Sequence, residues 1–143
     1  MRKMKGLSLV EAIASICLFG LGLFHGTRGL FWLLADENTQ HDSPLYTSLS
    51  SIMPLNVWGF LIFLSGLSFV FASWKLPKHQ VSNALYIFLL IGGLLSSLLC
   101  FAIALIGYGN AINWLTPSQL IVLSGVGGML AFFGGMTVWQ RNM

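Results

Sequence analysis

Charged residues are scarce in this sequence of 143 residues. Lysine and arginine together number 7 and aspartate and glutamate 4, so the charged fraction is 8%, whereas a soluble domain typically has about 25%. The hydrophobic fraction is 56% and the mean hydropathy is +0.82. These values exclude an ordinary soluble domain and indicate an integral membrane protein. Its length favours a single transmembrane domain over residues 1-143.

Motifs that carry chemistry are also missing. The two cysteines, Cys17 and Cys100, lie inside apolar segments and form neither a C-x-x-C motif nor a zinc-type spacing. The sequence contains no P-loop and no Gly-x-Gly-x-x-Gly motif. Its basic residues do not form a run interleaved with aromatic residues, so nucleic acid is not an expected partner. We predict no catalytic residue, no metal site and no cofactor.

What the sequence does contain is four apolar stretches, at about 7-35, 55-75, 81-107 and 117-139. Each approaches or exceeds the roughly 20 residues that an α-helix needs to cross about 30 Å of hydrocarbon. Thr116 and Pro117 predict a cap and a first position for the fourth helix. We therefore predict an all-α integral membrane protein that forms a four-helix transmembrane bundle.

The positions of the basic residues predict the orientation of the bundle, because arginine and lysine are retained on the cytoplasmic side of a membrane. Four spans place every basic residue except Arg28 on one side, namely Arg2, Lys3, Lys5, Lys75, Lys78 and Arg141. The other side receives Asp36, Glu37 and Asp42. We expect both termini to be cytoplasmic and the protein to reside in a bacterial plasma (inner) membrane.

The first outer loop has the pattern of a short helix. Ser43 and Pro44 are typical of a cap and a first helical position, and the helix would run to Met53. Leu45, Leu49 and Ile52 would then share one side, as in a helix that lies flat at a membrane interface. An irregular loop with scattered apolar residues is the alternative.

The stretch KGLSLVEA, residues 5-12, places the carboxylate of Glu11 near the start of the first span. A basic stretch, a glycine, an apolar residue and then a glutamate five residues past the glycine resemble the leader of type IV pilins and pseudopilins. The resemblance implies that the Gly6-Leu7 bond is cut and that Glu11 helps subunits to assemble. It covers only the start of the chain, since a pilin continues with an exported domain and this chain with three more apolar spans.

Depth in the membrane offers a second explanation of Glu11, and it is the one we prefer. At 1.5 Å per residue a helix over 7-35 would be about 43 Å long, which exceeds the hydrocarbon thickness. Its first turn can therefore stand among the inner headgroups. There Glu11 can pair with Lys3 or Lys5, or interact with the positive end of the helix dipole.

His25 and Arg28 are harder to place, because they lie deep in the first apolar stretch. An arginine near the bilayer centre costs about 2.5-3.5 kcal/mol on insertion scales. One hypothesis is a polar pocket in the outer leaflet, in which His25 exchanges protons or holds a ligand and Arg28 binds an anion or an acidic partner. The alternative is structural: His25 bonds to a neighbouring carbonyl group and Arg28 reaches Asp36 or Glu37.

Small residues recur at four-residue steps and predict close helix packing. Lipid tails provide no hydrophobic drive for helix association, so small residues that let backbones approach take its place. The predicted packing positions are Gly22, Gly26, Gly92, Ser96, Gly127, Ala131 and Gly135. They would close the four-helix monomer, or else contact other subunits or a second copy. Membrane lipids are the other expected contacts.

Three classes of function fit these features. A non-catalytic accessory or assembly subunit is favoured, because no catalytic group of residues occurs and the helices are apolar on nearly all sides. A self-assembling pore, such as a holin or small channel, is the alternative, although it should show a continuous polar stripe on at least one helix. A membrane-embedded enzyme or carrier would use a polar site formed by Glu11, His25 and Arg28.

Overall fold

The computed structural model describes residues 8-36, 39, 42-78, 82-110 and 113-143. In these ranges all of the regular structure is helical, and the helices are α1 (Leu9–Leu33), α2 (Pro44–Ile52), α3 (Leu55–Lys75), α4 (Ala84–Asn110) and α5 (Leu115–Asn142), with a 3-10 turn at Leu76–Lys78. All but α2 are long and apolar enough to cross a membrane. The predicted four spans are therefore confirmed, and the chain is a small polytopic membrane protein.

The bounds of α3 agree with the predicted 55-75, and the other three long helices differ from their predicted bounds by two or three residues at each end. α1 begins at Leu9 rather than at residue 7, because the Ser8 side chain accepts the N–H of Glu11 and caps the helix there. α4 extends to Asn110, whose side-chain amide donates to the carbonyl oxygen of Ile106 at 3.0 Å. α5 begins at Leu115, so Pro117 lies inside its first turn instead of opening the helix, and Thr116 is not the cap.

The early start of α5 is compatible with its proline. The first four N–H groups of a helix have no intrahelical partner, so a residue without an N–H is tolerated throughout the first turn. The side-chain oxygen of Asn113 accepts the N–H of Leu115 at 3.1 Å and so satisfies one of these donors. The predicted boundary was wrong by about half a turn.

The predicted short helix in the first outer loop is confirmed as α2. Ser43 caps it through the N–H of Tyr46, and Pro44 is its first residue. Leu45 and Leu49 are buried on the bundle, whereas Ile52 is 65% exposed. The indole N–H of Trp58 in α3 donates to the carbonyl oxygen of Leu49 at 3.3 Å. α2 therefore packs on one end of the bundle, which we call the α2 end.

The opposite end of the bundle holds the first turns of α1 and α4 and the last turns of α3 and α5, and we call it the terminal end. The antiparallel order of neighbouring helices follows from contacts far apart in sequence. Ser15 near the start of α1 meets Ser73 near the end of α3, with 2.9 Å between their hydroxyl oxygens. Arg141 near the end of α5 donates to Asn83, just before α4, at 3.1 Å.

α1 and α3 pack along a seam that repeats every seven residues on both helices. Ser15, Gly22 and Gly29 of α1 face Ser73, Gly66 and Gly59 of α3. A Cβ atom added to Gly66 would lie 2.5 Å from the backbone nitrogen of Gly26, and one added to Gly22 would lie 2.9 Å from the carbonyl oxygen of Gly66. Only glycine permits this approach of the two backbones.

α4 and α5 form a second seam of small residues. A Cβ atom added to Gly93 would lie 2.5 Å from the carbonyl oxygen of Gly127 and 2.6 Å from the nitrogen of Ala131. The Ser124 hydroxyl donates to the carbonyl oxygen of Ser97 at 2.9 Å. The two pairs of helices, α1 with α3 and α4 with α5, are joined mainly between α3 and α4. There the Ser65 hydroxyl donates to the carbonyl oxygen of Gly92 at 2.9 Å.

Candidate functional site

His25 is the most deeply buried ionisable side chain of the described residues, with 2% of its surface exposed. Its Nδ1 lies 3.1 Å from the carbonyl oxygen of Leu21, one turn earlier in α1. Its Nε2 lies 2.8 Å from the hydroxyl oxygen of Ser96 in α4. A carbonyl oxygen can only accept, so in the neutral imidazole Nδ1 carries the proton and Nε2 accepts from the Ser96 hydroxyl. His25 thus connects α1 to α4.

Two kinds of neighbour complete the surroundings of His25. The sulfur of Cys100, one turn after Ser96 in α4, lies 3.8 Å from Nε2. The rings of Phe24 and Phe69 stand edge-on to the imidazole, with centroid distances of 5.8 Å and 5.7 Å. All of these neighbours are protein atoms, and both ring nitrogens have a partner.

A serine bonded to a histidine resembles the nucleophile and base of a hydrolase, and the backbone carbonyl of Leu21 at Nδ1 is a group that can orient the base. A substrate must also reach the hydroxyl, yet Ser96 is 1% exposed. The arrangement can hold two helices together, and its geometry does not suit catalysis.

Arg28 lies one turn from His25 but faces a different part of the molecule. It lines a crevice of about 470 Å³ at the α2 end, together with Asp42, Tyr46 and Asn113. Its guanidinium carbon is 5.7 Å from the centre of the Trp32 ring, within the range of a cation–π contact. Asp36, one of its predicted partners, accepts both the N–H and the hydroxyl of Thr39. Glu37, the other predicted partner, lies outside the described residues.

Glu11 lies at the other end of α1 and closes a capping box. Its carboxylate accepts the N–H of Ser8 at 2.8 Å and the Ser8 hydroxyl at 2.9 Å. The reciprocal bond, from the N–H of Glu11 to the Ser8 hydroxyl, is 3.3 Å long. Lys3, Lys5 and the Gly6-Leu7 bond lie outside the described residues. Glu11, His25 and Arg28 are therefore spread along the whole of α1, and the polar pocket that would unite them stays a prediction.

The predicted packing residues occupy several different environments. Gly22 contacts α3, Gly127 contacts Ser97 of α4, and Ser96 bonds to His25. Gly92 approaches Ser65 and Phe69, and Ala131 approaches Gly93. A Cβ atom added to Gly26 would have no neighbour within 4 Å, and one added to Gly135 would only touch Leu90 at 3.4 Å.

Two tight glycines, Gly93 and Gly134, could not be picked out from the sequence pattern. Gly134, not its neighbour Gly135, is the close one, since its added Cβ atom would lie 2.6 Å from the carbonyl oxygen of Tyr86. Gly29 and Gly59 are equally close-packed, and each continues the seven-residue spacing of its helix from Gly22 and Gly66.

The described residues include no group of three or more His, Cys, Asp or Glu side chains that could hold a metal ion. Cys17 is exposed on α1 and Cys100 is buried, so the two thiols are not paired. Comparison of the chain with protein-family models, with curated proteins and with solved structures gives no match. The function must therefore be argued from the residues and their geometry.

Proposed function

We propose that this protein is a non-catalytic accessory or assembly subunit that binds another membrane helix. The helix would lie in a surface groove between α1 and α3, which we call the α1–α3 groove. The observation that carries the proposal is the shape of this groove. It has a volume of about 220 Å³ and is lined by both helices, and between its larger apolar side chains lie the partly exposed Gly26 and the buried Gly22 and Gly66. Small residues that expose backbone are the usual contact surface of a second transmembrane helix.

Gly26 is the open position of this groove. Gly22 and Gly66 are already occupied by the α1–α3 contact, whereas a Cβ atom on Gly26 would meet no atom within 4 Å. Leu23, Leu30 and Leu67 also line the groove and would contact an incoming helix on either side. A partner helix would gain van der Waals contacts that lipid chains, with their greater freedom, make less well.

The pairing of buried hydroxyl groups favours a packing role over a pore. Ser73, Ser96 and Ser124 each bond to a group on a neighbouring helix. Hydroxyl groups that line an aqueous path would instead face a shared lumen. In the described part of the chain these polar groups lie between helices, so the monomer supplies no polar stripe for a wide channel.

Orientation is part of the proposal. Lys75 and Arg141 lie at the terminal end and Asp36 and Asp42 at the α2 end, so the rule for basic residues supports a cytoplasmic terminal end in a bacterial plasma membrane. Alkaline phosphatase fused after Met143 should be inactive, and green fluorescent protein fused there should fluoresce. An active phosphatase fusion with a dark fluorescent fusion would reverse the orientation.

The binding proposal is tested by a matched pair of glycine substitutions in α1. Gly26→Leu fills the groove, whereas Gly20→Leu adds the same side chain where nothing lies within 4 Å and where no groove residue is involved. Purification in mild detergent, followed by mass analysis, should recover a stoichiometric companion with the wild type and with Gly20→Leu. A second copy of the chain counts as such a companion.

Gly26→Leu should lower the recovery of this companion at least ten-fold while the variant itself inserts and melts like the wild type. A wild-type chain that purifies alone would refute the proposal. Equal recovery from both variants would also refute it, because the companion would then bind elsewhere.

A further inference from the structure

A second groove lies on the opposite side of α1, in the half of the bundle next to the terminal end. It has a volume of about 470 Å³, and its walls come from α1 and α5 with α4 as its floor. Ala14 and Leu21 line it on α1, Leu89 on α4, and Val126 and Leu130 on α5. Its lining is almost entirely apolar. The groove exists because α1 packs mainly on α3 and α5 mainly on α4, so the two outer helices stand apart here.

A cation stands above this groove on α5. Arg141 follows Leu130 by 11 residues, which returns it to within about 20° of the same helix face and raises it about 16 Å along the axis. That rise is about half of the roughly 30 Å hydrocarbon thickness, or one leaflet. When the groove lies at the depth of acyl chains, Arg141 therefore lies at the depth of the headgroups.

The Arg141 side chain is held in place at this level. Its guanidinium group donates to Asn83 at 3.1 Å, and its central carbon lies 4.8 Å from the centre of the Tyr86 ring. Lys75 is a second, exposed cation at this end, and the residue after it, Leu76, lines the groove. Arg141 is therefore the cation held above the apolar slot, and Lys75 adds positive charge at the same end of the bundle.

The other charges at the terminal end leave this cationic character in place. Glu11 is the one acid that the described residues contribute here, and its carboxylate already accepts two hydrogen bonds from Ser8. The crevice at the α2 end differs, because there Arg28 shares the lining with the acid Asp42. The terminal end is thus the one suited to an anion.

We propose that this groove is a binding site for one anionic phospholipid from the leaflet at the terminal end. An acyl chain would lie in the groove between α1 and α5, and the headgroup phosphate would be bound by Arg141, with Lys75 adding positive charge at the same end. The apolar lining accounts for binding of an acyl chain. Arg141, about one leaflet-depth from Leu130 along α5, and Lys75 together account for the preference for a negatively charged headgroup. The site is separate from the α1–α3 groove and does not depend on the proposed partner helix.

The experiment is native mass spectrometry of the full chain in mild detergent, titrated with palmitoyl-oleoyl phosphatidylglycerol or with the matching phosphatidylcholine. One phosphatidylglycerol per chain should bind, and it should bind more tightly than phosphatidylcholine by about five-fold for each cation, or roughly 25-fold in all. Arg141→Gln and Lys75→Gln should each reduce this preference about five-fold. Arg141→Lys keeps the charge and should keep most of the preference.

The groove itself is tested by a matched pair of valine substitutions. Val126→Trp fills the groove and should weaken phosphatidylglycerol binding more than ten-fold. Val57→Trp is the control, because Val57 in α3 has the same side chain and nearly the same exposure, 38% against 37% for Val126, but does not line the groove. It should bind the lipid as the wild type does.

Three results would overturn the proposal. Equal retention of both lipids would show that the cations do not select the headgroup. Unchanged binding by Val126→Trp, or equal loss by Val57→Trp, would show that the lipid is held elsewhere. A dimer that Val126→Trp dissociates, with no bound lipid, would assign the groove to a second copy of the chain.

Discussion

The two ends of the bundle are packed differently. At the α2 end, Leu45 and Leu49 of the short helix are buried against the long helices, and Trp32, Leu55 and Ile103 lie beneath them with 1% exposure each. At the terminal end no additional α-helix is described, and the smaller cluster around Phe69 and Leu85 is flanked by the open groove. A protein segment covers part of one end, and we infer that a lipid chain fills the groove at the other.

The difference between the two ends follows from the way the four long helices pair. Both ends share the α1–α3 seam, where glycine brings the backbones together. Close pairing of α1 with α3 and of α4 with α5 leaves α1 and α5 apart, and only an additional element can cover the gap between the pairs. At its own end α2 covers part of this gap, because it packs on α4 and its Tyr46 ring lies 5.7 Å from that of Trp32 in α1, centre to centre; a crevice lined by Arg28 and Asn113 remains beside it.

The largest effect is expected from a wedge in the shared seam. A Cβ atom on Gly29 would collide with the backbone of Phe63 and lie 2.8 Å from the carbonyl oxygen of Gly59. Gly29→Leu should therefore separate α1 from α3 and disrupt the packing at both ends. The free energy of unfolding should fall by about 3 kcal/mol or more. Size-exclusion chromatography and thermal melting in mild detergent measure the loss of folded monomer. Gly20→Leu is the control and should behave as the wild type. An equal loss of folded monomer with both variants would show that the loss does not come from the α1–α3 seam.

A leucine at each end allows the two ends to be compared directly. Leu49 of α2 is fully buried, whereas Leu89 forms the floor of the groove. Leu49→Ala should lower the free energy of unfolding by about 2-3 kcal/mol, because a cavity remains inside protein. Leu89→Ala should cost roughly 1 kcal/mol, since a lipid or detergent chain can occupy the space. Unfolding by sodium dodecyl sulfate, followed by circular dichroism, measures both. Equal costs would mean that the terminal end is as closed as the α2 end.

A smaller effect is expected midway between the ends, where His25 bonds to Ser96. Interhelical hydrogen bonds in membrane proteins contribute about 0.6 kcal/mol on average and up to about 1.7 kcal/mol. A double-mutant cycle with His25→Leu and Ser96→Ala should give a coupling energy in this range. The matched control is the cycle of His25→Leu with Ser124→Ala, which removes a hydroxyl bonded to Ser97 instead and should be additive. A coupling energy of the same size in both cycles would show that the His25–Ser96 hydrogen bond is not its source.

Much of the fold could be predicted because its signals are local. Hydropathy located the four spans, and the pair Ser43 and Pro44 located α2, since a cap and a proline act within one turn. The start of α5 was predicted at Pro117, two residues late, because a proline fits any position of a first turn and does not mark which one.

The candidate site could be predicted only in part, because its partners are remote in sequence. The position of His25 deep in the first span marked it for a neighbouring acceptor, but its partner Ser96 is 71 positions away and depends on the relative height of two helices. Each four-residue step drifts by about 40° around a helix, so two steps from Gly127 reach Gly135, whereas Gly134, seven residues on, lies within about 20° of Gly127. The four-residue step from Gly22 to Gly26 marked the α1–α3 groove as a packing face, whereas the α1–α5 groove has no sequence pattern, since it arises from the gap between separately packed helices.

The smallest effect is expected where α1 begins, at the terminal end, and it separates the explanations of Glu11. If Glu11 only closes the capping box with Ser8, a glutamine in its place can still accept the N–H of Ser8. Glu11→Gln should then change the free energy of unfolding by only a few tenths of a kcal/mol, whereas Ser8→Ala should cost about 1 kcal/mol. Melting of the two variants in mild detergent measures the difference. Glu11→Gln also removes a negative charge from the terminal end, so the affinity of this variant for phosphatidylglycerol should not fall. A large loss of stability, or a loss of assembly without a loss of stability, would contradict the capping role and restore a functional role for the acid.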